Sequence, residues 1–299
     1  MTMLKYISIF FILTGGFYSY GQINSSPENL GEMVNSEYEE LCPVISGDKT
    51  RLFFVRMNHP DNLNGKKRSQ DIWLSEKDET GEWSEAVCLP KTVNISRYNA
   101  VFWTNEEGTE LIINGIFNKK GTEWKDRGFS KISSKDNGKW GRPKPLKISG
   151  FKNQNDGILS SAFFSSDEKT LLMSFSSTTN GKKSDIYIST KKKNTYSRPK
   201  KIKSISSKYD EQAPFLSADG NSLFFSSNLS GNYNIYRSEK QGGTLTDWSE
   251  PQPVNTGINT SGWDSYFRLT SDSGAAFFTS DQNSLGNADI FSLNIDSAA

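Results

Sequence analysis

Histidine and cysteine are nearly missing: His59 stands alone, and Cys42 and Cys88 are the only two thiols in 299 residues. That set cannot assemble a zinc centre of the usual Cys/His kind. A charge of one sign is missing too, since 35 Lys and Arg face 34 Asp and Glu for a net charge of +1. A dedicated nucleic-acid binder carries a clear basic excess, so that class is set aside. Gly and Pro, at 24 and 10 residues, are near ordinary usage, which excludes collagen-like and low-complexity chains. No long apolar run follows the first twenty residues, so a polytopic membrane protein is excluded. No 3.6-residue apolar period appears either, which a helical solenoid needs. Aromatics are abundant, at 12% of a chain only 34% hydrophobic. Such residues scattered through polar sequence read as many short strands, each apolar on alternate positions.

The one apolar run is Ile7-Ser8-Ile9-Phe10-Phe11-Ile12-Leu13, preceded by Lys5 and followed by Gly15, Gly16 and small residues through Ser19 and Gly21. A positive charge, a short apolar core and small residues match a secretory signal peptide over residues 1–21. The run is shorter than the roughly 20 residues a bilayer anchor needs. The expected mature chain, residues 22–299, is exported without a transmembrane segment, to the periplasm or in association with the outer membrane, or is secreted. Export permits a disulfide. The repeat described next, however, puts Cys42 on the first strand of a unit and Cys88 on the last. Two intervening strands at about 4.8 Å spacing hold them beyond the ~7 Å Cα separation a disulfide tolerates, so both are expected free.

One pattern recurs five times. Ser46-Gly47-Asp48-Lys49-Thr50 leads into Leu52-Phe53-Phe54, Thr104-Asn105-Glu106-Glu107-Gly108 into Leu111-Ile112-Ile113, and Ser165-Ser166-Asp167-Glu168-Lys169 into Leu171-Leu172-Met173. Ser217-Ala218-Asp219-Gly220 leads into Leu223-Phe224-Phe225, and Thr270-Ser271-Asp272-Ser273-Gly274 into Phe277-Phe278. Ser and Asp bond their own backbone in such turns and Gly accepts positive φ. A second motif follows at Asp71-Ile72-Trp73, Asp185-Ile186-Tyr187, Asn234-Ile235-Tyr236 and Asp289-Ile290-Phe291, with Gly128-Phe129-Ser130 as a degenerate copy. Glycines at 65, 181, 231 and 286 precede it as hairpin turns. A third motif closes the unit: Trp83-Ser84-Glu85, Trp140-Gly141-Arg142-Pro143, Tyr196-Ser197-Arg198-Pro199 and Trp248-Ser249-Glu250-Pro251. Proline there suits an edge strand.

Units begin near Tyr38, Tyr98, Asn155, Tyr209 and Trp263, about 56 residues apart. Four short strands per unit at that period predict an all-β, five-bladed propeller. The fifth unit lacks its closing strand, and Ser26 to Asn35 reads like the missing piece, by comparison with Ser249 to Asn255. The N-terminal segment is therefore expected to complete the last blade and hide the open edges. The Ser/Thr-x-Asp-Gly turn, the apolar strand and the Asp-Ile-Tyr strand resemble the WD40-like repeats of the TolB propeller and of many exported proteins of the Bacteroidetes. The resemblance spans about residues 25–296. It implies a periplasmic or outer-membrane-associated binding module, and it stops short of the peptidoglycan-binding domain that follows some such propellers.

The predicted inner strands begin at matched positions, which places Glu39, Asn99, Asp156, Asp210 and Asp264 around one mouth of the channel. Oxygen ligands in a ring suit a cation such as Ca²⁺; the same acids, one per repeat, can equally bond backbone N–H groups. A glycoside-hydrolase reading needs an acid–base pair in unlike environments, with Asp156, Asp210, Glu211 and Asp264 as candidates, yet the acids look equivalent from unit to unit. No nucleophile motif accompanies His59, which reads as a surface residue. From Lys182 to Lys203 nine basic residues face Asp185 alone. Lys191, Lys192, Lys193, Arg198, Lys200 and Lys201 thus form a candidate patch for an anionic partner, or a lysine-protected sheet edge. Trp83, Trp140, Tyr196 and Trp248 recur at one repeat position and read as packing anchors, whereas Trp124 lies outside the repeat as an exposed contact. Taken together, the sequence predicts an exported, non-catalytic propeller that binds a protein partner in the bacterial envelope, with a carbohydrate-binding or hydrolysing propeller as the alternative.

Overall fold

The computed structural model describes residues 26–65, 67–135, 138–151, 159–176, 183–254 and 257–295; the leader at 1–21 and Asp156 lie outside them. After a short β1 (Glu28–Asn29), blade 1 holds β2 (Glu39–Ile45), β3 (Arg51–Met57), β4 (Gln70–Glu76) and β5 (Val87–Cys88). Blade 2 holds β6 (Val101–Thr104), β7 (Glu110–Phe117), β8 (Trp124–Ser133) and β9 (Lys144–Pro145). The chain then adds β10 (Lys147–Ile148) to blade 3, which contains β11 (Leu159–Phe164), β12 (Thr170–Ser176), β13 (Ser184–Lys192), β14 (Thr195–Tyr196) and β15 (Lys200–Lys201). Blade 4 holds β16 (Glu211–Leu216), β17 (Ser222–Ser227), β18 (Asn234–Glu239) and β19 (Gln252–Pro253). Blade 5 is β20 (Asp264–Leu269), β21 (Ala275–Ser280) and β22 (Asp289–Asn294), completed by β1, which pairs antiparallel with β22.

This is the predicted five-bladed, four-stranded propeller, closed by the N-terminal strand. The closing register differs from the sequence alignment. Glu28-Asn29-Leu30 takes the place of Gln252-Pro253-Val254, so Asn35 answers Asn259 rather than Asn255. The reason is a hydrogen-bond set that the spacing alone conceals. Asn35 accepts from the Ile290 N–H (2.9 Å) and donates to the Ile290 carbonyl (2.9 Å). Asn259 does the same for Ile235 and Asn94 for Ile72. Gly286 fits close beneath this junction: a Cβ there would come within 2.5 Å of the Glu37 and Ser36 backbone.

The core follows from period 2. Each second strand carries two adjacent apolar residues that point to opposite faces, so each blade feeds the interfaces on both sides. Phe53 packs in the cluster between blades 1 and 2, whereas Phe54 packs in that between blades 5 and 1. Leu172 and Met173 divide in the same way, as do Phe277 and Phe278. The predicted turns form as read: the Ser46, Ser165, Ser217 and Thr270 hydroxyls donate to Asp48, Asp167, Asp219 and Asp272. Blade 2 substitutes Asn105, whose side chain accepts from the N–H groups of Thr109 and Glu110. Of the closing motif, Trp248 and Tyr196 are buried and Trp83 and Trp140 half-buried; Pro143, Pro199 and Pro251, expected on an edge strand, instead stand just before the outer strands β9, β15 and β19. Cys42 and Cys88 are free, at the two edges of blade 1.

The first strands β2, β6, β11, β16 and β20 contact one another in turn and form the central ring. Each carries a bulge in its register with the second strand. In blades 1, 4 and 5 a left-handed residue sits there: Cys42 (φ 57°), Ala213 (φ 50°) and Tyr266 (φ 56°). A bulge turns the strand and re-aims its side chains.

Candidate functional site

The acids expected at the channel mouth separate into two groups. Glu40, Asn99, Glu211 and Asp264 occupy the true repeat position; each is buried and accepts the backbone N–H of a hydroxyl residue three or four places earlier. Glu40 takes the Ser36 N–H (3.1 Å) and hydroxyl, and Asp264 takes the Thr260 N–H (2.6 Å) and hydroxyl. Asn99 accepts from Ser96 and donates to Asp71 (2.7 Å), joining blade 2 to blade 1. Glu211 takes the Ser207 N–H and hydroxyl on one oxygen, while its other oxygen is buried without a partner. Glu39 and Asp210 stand one residue off this position. Asp210 accepts from the Ser184 N–H (2.7 Å) and Asn228, and Glu39 is half-buried with no side-chain hydrogen bond among the described residues. Asp156 lies outside the described residues.

Among the described residues no three His, Cys, Asp or Glu side chains gather as a metal cluster. The mouth acids are instead distributed one per blade, each engaged with its own loop. Burial raises the carboxyl pKa of Glu40 and Asp264 and lifts that of Glu211 to about 7. In Glu211 the neighbouring Asp185 carboxylate adds to the burial, against the opposing Ser207 bonds. His59, expected on the surface, is wedged edge-on between Tyr38 and Trp73, with ring centroids 4.9 and 4.7 Å away. The loop folds back over blade 1, because Asn62 bonds the Trp73 indole N–H (2.9 Å) and the Arg56 carbonyl (3.0 Å).

Two features escaped the sequence reading. The first is Arg268, which stands where the other inner strands carry Val44, Trp103, Phe163 and Phe215. It is buried, donates to the Ala162 carbonyl (3.0 Å), lies beside Cys42, and sits over the Phe163 ring at 5.1 Å. One side chain from blade 5 thereby spans to blades 1 and 3 across the ring. A cation at a position that is apolar in four repeats was the available signal.

The second is a cleft of about 540 Å³ lined by Ser96, Arg97, Tyr98, Asn114, Trp124, Arg127, Gly128 and Leu159. It opens at the end of the ring where the first strands begin. β7 and β8 are the longest hairpin of the chain, and it carries Trp124 to this rim. Trp124 packs over Gly115, where a Cβ would meet its ring at 2.3 Å, and stands edge-on to Phe117 at 6.0 Å. It remains 40% exposed, and Tyr98 49%. Among the described residues no hydrogen bond engages the side chains of Arg97, Tyr98, Asn114 or Trp124. Trp124 is thus exposed, as the sequence indicated, and the fold gives it neighbours in the cleft.

The basic patch is partly neutralised. Lys191 reaches Glu168 (3.4 Å) and Lys201 reaches Asp185 (2.7 Å). Lys192, Lys193, Arg198 and Lys200 are exposed.

No family model matches the sequence, and no curated protein matches it. Solved structures do match in shape. The catalytic domain of a Coprinopsis cinerea α-L-arabinofuranosidase aligns with a TM-score of 0.56 at 10% identity, over 90% of this chain and 96% of that one. An endo-arabinase from Bacteroides thetaiotaomicron aligns at 0.51 and 16% identity, over 91% and 98%. TolB from Acinetobacter baumannii aligns at 0.48 and 14% identity over 89% of this chain, which spans 57% of that chain's length. At these identities the likeness to the first two is one of fold.

Proposed function

We propose that this protein is a non-catalytic binding propeller of the bacterial cell envelope, and that the cleft beside the channel mouth holds a segment of a partner protein. The observation that carries this reading is the division of labour at the mouth. The buried acids Glu40, Asn99 (as the amide), Glu211 and Asp264 bond their own loops, whereas Tyr98, Trp124, Arg97 and Arg127 line an accessible concave surface. Aromatic and arginine side chains are those that dominate protein recognition energetics, and the volume lies in the range of specific sites. A rigid propeller rim presents such loops with little ordering cost.

A carbohydrate reading has its own support: the Tyr98 and Trp124 rings with the Asn114 amide are the surfaces a sugar uses, and the arabinan-acting enzymes above share the fold. The deciding experiment is affinity capture from the native envelope with wild type, Trp124→Ala and Arg97→Glu. A protein retained by wild type and lost by both variants, with unchanged melting temperature, supports the proposal. Turnover of an arabinan, abolished by Asp210→Asn or Asp264→Asn, overturns it.

A further inference from the structure

Charge is segregated on this propeller far more than its net value suggests. Residues 125–203 hold nineteen Lys and Arg against six Asp and Glu, while the rest of the chain holds sixteen against twenty-eight. The fold concentrates that excess on one sector. β10 leaves blade 2 and pairs in parallel with β14 of blade 3, so Lys147 and Lys192 both lie opposite Thr195, one on each side. Two strand spacings put them about 10 Å apart on one face of the sheet. Lys144 on β9, Arg142 just before it, Arg198 and Lys200 on the outer edge of blade 3, Lys193 in the hairpin and Lys203 beyond are all exposed. None of these eight cations forms an ion pair among the described residues, whereas Lys131, Lys191 and Lys201 do.

We propose that the outer rim of blades 2 and 3 is a docking surface for a linear acidic polysaccharide. The rim offers discrete cations along a convex edge, which a flexible chain with spaced carboxylates or sulfates can follow. A bilayer fits it poorly: the exposed large apolar residues, Met33, Leu63, Val87, Tyr98, Trp124, Leu229 and Leu285, all lie off these outer strands, so nothing there inserts among lipid chains. A duplex nucleic acid fits poorly as well, because a stiff, densely charged rod also meets the acidic remainder of the surface. The site is separate from the cleft, and it needs no part of the partner proposal to hold.

The test measures binding of the full chain to polygalacturonate, which carries carboxylates, and to heparin, which carries sulfates, at low and at physiological salt. Wild type is expected to bind at least one of them, more weakly as salt rises. The triple variant Lys147→Glu, Lys192→Glu, Arg198→Glu should lose about tenfold or more in affinity, because charge reversal converts attraction into repulsion. Its melting temperature should hold, since all three side chains are exposed. Lys67→Glu with Lys91→Glu on blade 1, and Trp124→Ala in the cleft, should bind as wild type. The proposal is overturned if wild type binds neither glycan or the triple variant binds as well as wild type. Tighter binding of anionic phospholipid vesicles or duplex DNA than of either glycan at equal charge concentration also overturns it.

Discussion

Glu40 and Glu211 sit at the same point of the repeat, at the junction of blades 5 and 1 and at that of blades 3 and 4, and their surroundings differ in one side chain. At the closing junction Arg56 bonds Glu40 (2.7 Å) and the Val34 carbonyl (2.7 Å), and lies over the Trp73 ring at 4.1 Å. At the internal junction no arginine reaches Glu211, whose second oxygen is left without a partner near an equally unpartnered oxygen of Asp185. The loop serine is kept in both. Blade 5, whose fourth strand β1 is held to β22 by hydrogen bonds alone, thus meets blade 1 through a complete buried network. Blade 3, whose strands follow one another in the chain, meets blade 4 through an incomplete one. The Asn35 clamp repeats the contrast: it makes bonds to both Ile290 groups, while its counterpart before blade 4, Ser206, makes one bond to the Ile202 carbonyl.

Removing the arginine is the strongest way to break this contrast. Arg56→Met leaves Glu40 buried without its cation and is expected to cost about 3–5 kcal/mol in chemical denaturation. Adding Glu40→Gln should recover most of it; equal losses in both variants would show that packing, not charge, holds the junction. Next is Glu211. Its folded pKa of about 7 lies above the ordinary value, so the unfolded chain ionises first as pH rises. The folded state therefore loses stability between about pH 4.5 and 7, by roughly 3 kcal/mol at most, and the dependence flattens above that window. Glu211→Gln should remove the Glu211 contribution to this slope, flattening the melting temperature up to about pH 7, whereas Glu40→Gln should leave that contribution in place. A smaller effect is expected for Asn35→Ala, which unpairs the buried Ile290 N–H and leaves the Ile290 carbonyl to Leu30 alone, at a cost of about 2 kcal/mol; Ser206→Ala should cost less than half of that. Smallest is Lys49→Met, which deletes the exposed Lys49–Asp272 pair between blades 1 and 5. Less than about 1 kcal/mol is expected there, and a larger loss would mean that closure also rests on the opposite face.

The repeats were legible because each blade needs the same few things: an Asp or Asn turn, two adjacent apolar residues for two interfaces, and a capped third strand. The acid ring was read one residue off in blades 1 and 4. Side chains alternate along a strand, so a one-residue frame decides between buried and half-exposed, and Glu39-Glu40 and Asp210-Glu211 give no internal clue. A clue did exist upstream: Ser36, Ser207 and Thr260 each precede the buried acid by four residues, and Ser96 precedes Asn99 by three. The cleft had no comparable signal, since Tyr98 and Trp124 lie far apart within one unit and Leu159 comes from the next.

The sequence by itself determined the number of blades, the strand that closes the ring, the residues of the interfaces and the free state of two distant cysteines. All of these follow from local turn chemistry and period-2 patterning repeated five times. The tertiary structure alone decided which carboxylates are buried, that Arg268 bridges the ring, that β10 crosses to blade 3 and brings Lys147 beside Lys192, and that Tyr98 and Trp124 share a cleft. Those outcomes depend on how one blade meets the next, and no periodicity within a blade encodes that distance.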